Sequence, residues 1–266
     1  MNYSDFQFLQ FEHRPNGVLV VTINRPEVLN ATNARLHWEL TKIWGVVNDD
    51  AKTKVAIITG AGERAFSAGG DLDWITGMVH NPKAIATVMQ EAADIVYSIM
   101  ACEKIVISAI NGVAVGAGLA VAMLADISIM AEEAKITDGH VKLGVGAGDH
   151  AAIIWPLLCG MAKAKYYLLT AEFIDGKEAE RMGLVSLCAP RAELMAKALA
   201  VADKLAAGSQ PAIRLTKRSL NGWLDKARPI FESSLAMEML CFLGDDAAEG
   251  VKAVREKRAP NFPSAR

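Results

Sequence analysis

Apolar positions along this chain follow two periods, and the changes of period mark its elements. Residues 6–13 and 18–24 read as a strand pair joined by Arg14-Pro15-Asn16-Gly17, where Asn-Gly signals a hairpin turn. The loop 24–31 leads into a helix from about Thr32. There Leu36, Leu40, Ile43, Trp44 and Val47 recur at helical spacing as a core-facing stripe. Residues 54–60 form a continuous apolar strand, and 62–72 an irregular loop of small residues. A helix follows over 82–100. Next come a buried strand (105–110), a glycine-rich turn (111–118), a short buried helix (119–126) and another strand (127–131). After the glycine-rich stretch 137–150 the pattern is helical: 151–159, 161–170, 176–182, 191–207, 211–222, 228–243 and 245–257. Pro190, Pro211 and Pro229 punctuate it. Strand and helix alternate over 1–190 and helices fill 191–266. This predicts an α/β core followed by a helical C-terminal region.

Composition narrows the class. The chain has 266 residues, 52% hydrophobic and 22% charged, which excludes disorder. Its net charge of −2 lacks the basic excess of a nucleic-acid binder. Residues 105–131 carry one charge, Asp126, but their β-branched and glycine-rich texture fits buried strands better than a membrane span. The N-terminus carries acids where a signal peptide needs bases, so a cytoplasmic location is expected. Cys102, Cys159, Cys188 and Cys241 are far apart and read as four buried thiols. No Cys/His spacing predicts a metal site.

Two glycine loops each follow a buried strand: Ser67-Ala68-Gly69-Gly70-Asp71, and 112–118 with Gly112, Gly116 and Gly118. Neither is a P-loop, and the second is GxxxGxG rather than GxGxxG. Small residues let backbone N–H groups approach a ligand oxygen, and two converging donors stabilise an oxyanion. The alternative is that these glycines serve only turns and packing.

Five segments carry a resemblance: 24–31 (NRPEVLNA), 65–72 (AFSAGGDL), 110–118 with Ala125-Asp126, Gly183-Leu184-Val185, and the tail 249–262. Together they resemble the crotonase (enoyl-CoA hydratase/isomerase) superfamily over nearly the whole chain. The resemblance implies a spiral of ββα repeats with a helical C-terminal trimerisation region. It implies homotrimers or dimers of trimers, an acyl-CoA thioester as partner, and no cofactor beyond the coenzyme A of the substrate. It places the oxyanion donors at Gly70 and Ala117, and the CoA-contacting backbone around Val28, Ala68, Asp71 and Leu72.

The chain departs from the hydratases of that family at both glutamates, where it has Ala120 and His140. A histidine trades protons near neutral pH, and a carboxylate partner orients it. His140 and Asp149, nine residues apart across a glycine-rich loop, are therefore the candidate acid–base pair. The competing reading makes Asp149 an N-cap for the helix at 151. A similar pair occurs in β-diketone hydrolases of the 6-oxocamphor hydrolase type. By that resemblance Glu238 joins the site, although the second histidine of that branch is absent at 117–118. His150 is expected to face away, Trp155 and Pro156 to pack, and Lys142 and Asp73 to be solvated. His13, His37 and His80 read as surface residues. The expected function is an enoyl-CoA hydratase/isomerase-like enzyme working through an enolate, with a His/Asp pair for the glutamates. The alternatives are a carbon–carbon bond hydrolase and an inactive binding protein.

Overall fold

A computed structural model describes residues 1–265. The opening hairpin pairs β1 (Leu9–His13) with β2 (Val18–Ile23), and Gly17 takes the turn at φ +87°. After α1 (Ala34–Asp49) the chain repeats one plan. A long strand enters a large sheet, a short strand enters a small sheet, and a helix returns. The pairs are β3 (Val55–Gly60) with β4 (Ala65–Ala68), β5 (Ile105–Ile110) with β6 (Val113–Val115), and β7 (Ile127–Ala131) with β8 (Lys135–Ile136). The returning helices are α2 (Leu72–Thr76) with α3 (Pro82–Ala101), then α4 (Gly116–Leu124). The large sheet runs β1-β2-β3-β5-β7-β10, closing with β10 (Leu187–Ala189). The small one runs β4-β6-β8-β9, with β9 at Ile174–Asp175. This is the ββα spiral expected. Strands β3 and β5 are buried at every position, as a parallel sheet covered on both faces requires.

Several elements differ from the sequence reading. The segment 62–72 is not all loop but holds β4 and the start of α2. The turn 111–118 contains β6 and the first residues of α4. Strands of three or four residues have too little pattern to announce themselves; pairing across the spiral makes them. Pro229 does not divide the late helices: α8 runs unbroken from Gln210 to Cys241. An interior proline costs about 3 kcal/mol. Phe231 and Leu235, both buried on the same helix, each return about 1.5–3 kcal/mol, which offsets it. By contrast α5 (Ala151–Thr170) does bend at Gly160, whose φ of +78° is non-helical. The remaining helices are α6 (Gly176–Arg181), α7 (Arg191–Ala206) and α9 (Asp245–Arg255). Of the four free thiols only Cys102 is buried; Cys159, Cys188 and Cys241 are half-buried. Among the described residues no helix is long and apolar enough to cross a membrane.

Candidate active site

The two glycine loops meet. A Cβ on Gly116, which sits at φ +59°, would lie 3.3 Å from the Gly69 Cα and 3.6 Å from the Gly70 nitrogen. Only a residue without a side chain allows that approach. Ala117 lies in the first turn of α4, where N–H groups have no intrahelical acceptor. The Gly70 N–H donates to no backbone group in the surrounding turns, whereas Asp71 donates to the Thr32 carbonyl at 2.9 Å. Two asparagines fix the loops from below. Asn111 donates to the carbonyls of Gly60 and Gly62 at 2.9 and 2.8 Å, and Asn30 to those of Ala61 and Ala65, both at 2.9 Å.

Gly70 and Ala117 line one cavity of about 300 Å³, with Ala68, Leu72, Trp74, Met78, Val88, Phe173 and Phe242 on its apolar walls. Its polar wall carries His37, His140, Asp149 and Glu238. Val28 is 39% exposed and does not line it. Asp71 caps α2, accepting from the Asp73 N–H at 3.1 Å, and its carboxylate faces Arg25 at 3.6 Å.

His140 opens a short 3₁₀ turn, His140–Leu143, at the foot of the cavity. Its Nδ1 donates to Asp138 Oδ1 at 2.8 Å. Its Nε2 lies 3.5 Å from Glu238 Oε1 and 3.8 Å from Asp149 Oδ2. The expected pair is thus corrected in one respect. Asp149 stands beside His140, beyond hydrogen-bond range, and Asp138 orients the ring. Asp149 is not a helix cap either; the cap position is His150. The Asp149 carboxylate instead accepts from His150 Nδ1 at 2.6 Å. His150 therefore does not face away: it is fully buried behind the site. Glu238 reaches in from α8, its Oε2 accepting from the Gly148 N–H at 3.1 Å. That contact is close because a Cβ at Gly148 would lie 2.1 Å from the Ser234 carbonyl oxygen.

His37 is a further correction. It is 3% exposed, donates from Nδ1 to Glu91 Oε2 at 2.6 Å, and its ring lies 4.8 Å from that of Trp74. His13 and His80 are surface residues, as read. Lys142 lines the cavity and donates to the Ala171 carbonyl at 2.7 Å. Asp73 is exposed and paired with Arg255 at 2.7 Å. Trp155 is fully buried.

The electrostatics follow from burial and from which charges face which. Burial alone would lower the His140 pKa, but Asp138, Glu238 and Asp149 together raise it well above the ordinary histidine value. Burial pushes the Glu238 carboxyl up to about 8, with the charges of Asp149 and Asp138 adding and His140 opposing. Burial would also raise Asp149, yet His150 and His140 hold it below the usual carboxylate range. Near neutral pH the cluster is therefore an imidazolium, a neutral Glu238 and an ionised Asp149.

A ββα spiral built from paired long and short strands defines the crotonase class of fold. The enoyl-CoA hydratase/isomerase family model matches residues 13–265. The crotonyl-CoA hydratase of Syntrophomonas wolfei is 34% identical over 250 residues, 92% of this chain and 94% of that protein. The crystal structure of an enoyl-CoA hydratase/isomerase from Mycobacterium paratuberculosis superposes with a TM-score of 0.88 at 33% identity, covering 93% and 99% of the two chains. A β-diketone hydrolase from Anabaena, bound to (S)-3-oxocyclohexyl acetic acid, superposes with a TM-score of 0.84 at 26% identity, covering 90% and 96%. The chain belongs to the enoyl-CoA hydratase/isomerase family, within the crotonase superfamily.

Proposed function

We propose that the protein is an acyl-CoA enzyme that works through a thioester enolate, with His140 handling the proton. The observation that carries this reading is the meeting of the Gly70 and Ala117 loops on the cavity that also holds His140. The two N–H groups stabilise the charge that develops on the thioester oxygen, where each such donor contributes about 2.7–4 kcal/mol. His140 rests as an imidazolium, gives its proton to the enolate carbon in the direction of hydration, and as imidazole takes it back in the reverse direction. Asp138 holds the ring. Asp149, ionised beside Nε2, takes one proton of the water as the water oxygen bonds the β-carbon and later returns it to His140, while the neutral Glu238 orients that water. Ala120, buried in α4, and His140 stand where the family's hydratases carry glutamates, so this cluster replaces the carboxylate pair. Coenzyme A enters as part of the substrate, with the backbone of Ala68 and Leu72 at the mouth and Val28 and Asp71 nearby. The exposed apolar residues Leu157, Met161, Leu220, Trp223, Ile230 and Leu240 on α5 and α8 supply the surface for a trimer or a dimer of trimers.

Calorimetric titration with crotonyl-CoA and acetoacetyl-CoA at pH 7.5 tests the reading, which expects micromolar binding of both. Absence of binding to either by a properly assembled protein would overturn it. One contact favours a second reading. Glu238 stands 3.5 Å from His140, as the resemblance to β-diketone hydrolases implied, and such a hydrolase shares the fold. Turnover of a cyclic diketone without coenzyme A would establish that reading instead.

A further inference from the structure

A second cavity, of about 610 Å³, lies between the end of α3 and the first half of α8. It shares no lining residue with the catalytic cavity. Its α8 wall carries Arg214, Lys217, Arg218, Asn221, Asp225 and Arg228, which fall on one face of the helix. Trp223 lies nine residues after Arg214, on the opposite face, with the apolar surface assigned above to subunit contact. The cavity therefore belongs to the other side of α8.

Two of the cations on this face are satisfied. Arg228 pairs with Asp225 at 2.8 Å, and Lys217 with Asp126 at 2.8 Å. Arg214 and Arg218, one helical turn apart, make no ion pair or hydrogen bond among the described residues. The Arg214 Nε is sealed from solvent with no partner. The ammonium of Lys104, a residue only 7% exposed, is also without a partner among them. Burial and the charge of Arg214 lower the Lys104 pKa, so these two cations crowd each other. Glu103 is the one lining acid not already paired. Three cations against one acid leave two positive charges uncompensated, in a chain whose net charge is −2. Desolvated cations without a counter-charge are costly, and a bound anion relieves that cost. The start of α8 adds to the field. Gln210 and Pro211 line the cavity, and the Ser209 side chain does not cap the positive end of this long helix.

We propose that this cavity binds a phosphate-bearing anion, a phosphate ester or a diphosphate, with Arg214 and Arg218 as its contacts and Lys104 as supporting charge. The uncompensated charge selects the class. A carboxylate brings one negative charge, whereas a phosphate monoester brings about −1.5 to −2 at neutral pH. Guanidinium groups match phosphate oxygens in pairs, which suits two arginines one turn apart. The cavity is larger than a phosphate group, so it has room for the organic part of an ester. The site stands apart from the acyl-CoA reading, because none of its residues touches the catalytic cavity.

The test is calorimetric titration of the full-length protein with pyrophosphate at low ionic strength, with inorganic phosphate and acetate as comparators. Expected is saturable binding of one pyrophosphate per chain, weaker binding of phosphate and none of acetate. Arg214→Gln and Arg218→Gln each weaken pyrophosphate at least tenfold. Lys252→Gln, which removes the same charge from an exposed position on α9, leaves it unchanged. A wild type with no saturable pyrophosphate binding at about 1 mM overturns the proposal, with no variant needed. So does equal weakening by all three variants, which would mean attraction to charge in general. Coenzyme A also carries phosphates, so the titration is repeated with acetoacetyl-CoA present. Displacement of pyrophosphate by the thioester, with binding indifferent to Arg214→Gln, would place the phosphates at the catalytic mouth and refute the separate site. A wild type that ignores pyrophosphate, but whose assembly is lost on gel filtration in Arg214→Gln, would make the cavity a contact between copies. A protein that binds pyrophosphate here but no acyl-CoA refutes the acyl-CoA reading and leaves this site standing.

Discussion

Replacing Asp138 by Asn separates the charge behind His140 from the shape around it. Asn keeps an oxygen to accept from Nδ1–H. A hydrogen bond to a charged group contributes about 1.5–3 kcal/mol and a neutral one about 0.5–1.5, so the imidazolium loses on the order of 1–1.5 kcal/mol. That is about a tenfold loss of proton affinity. The new amide nitrogen takes the place of Oδ2, which is buried with no partner, at a further cost of about 1–3 kcal/mol. The pH dependence has a definite sign. His140 has its pKa raised in the fold, so its contribution is fully present below the unfolded value of about 6.5. It is lost as pH rises through the folded value. Asp138→Asn therefore destabilises most below pH 6.5 and least under alkaline conditions, where only the buried amide counts. Urea unfolding across pH, with NMR of ¹⁵N-histidine, measures both terms. A destabilisation equal at all pH values, with an unchanged His140 titration, would show that Asp138 makes no charge-dependent contact with the ring.

Four further outcomes follow from the same geometry. His140→Ala lowers turnover about 10²–10⁴-fold while gel filtration shows unchanged assembly; wild-type turnover would remove His140 from the mechanism. Ala117→Pro deletes one N–H in a first helical turn that tolerates proline, so kcat falls about 10²–10³-fold with little change in Tm. Glu238 has its carboxyl raised to about 8, so its contribution is present below its unfolded value of about 4.5 and lost as pH rises through 8. Glu238→Gln removes that alkaline fall, and superimposable pH–Tm curves would contradict the assignment. Gly148→Ala drives a Cβ to 2.1 Å from the Ser234 carbonyl oxygen, a backbone atom of α8 that cannot swing aside, so Tm drops by several degrees and Glu238 loses its anchor. A neutral Gly148→Ala would show that the loop and α8 are not held together there.

The spiral was legible because its long strands are unbroken apolar runs and its loops carry specific small-residue motifs. His140 and Glu238 were reached through the resemblance, since 98 residues separate them and no local pattern joins them. Asp138 is not among the residues read from the sequence; the usable signal is an acid two residues before the histidine, close enough to reach its ring. His37 reads as a surface residue by type, yet it lies three residues before Leu40 and seven before Trp44, on the edge of the buried stripe. The unbroken α8 was hidden by Pro229, whose cost is met by packing that one sequence does not display. His150 was placed by assuming that a helix started with Asp149 as its cap, and the backbone starts it one residue later.

In the proposed reaction His140 exchanges a proton with the carbon next to a thioester held by Gly70 and Ala117. The direct measurement is NMR of a saturated short-chain acyl-CoA in D₂O. It follows deuterium entering the α-carbon with the wild type and with His140→Ala. Expected is exchange by the wild type, rising toward alkaline pH as the imidazolium loses its proton, and its loss in the variant, with acyl-CoA binding retained by both. Binding without exchange, or exchange that survives His140→Ala, would contradict it.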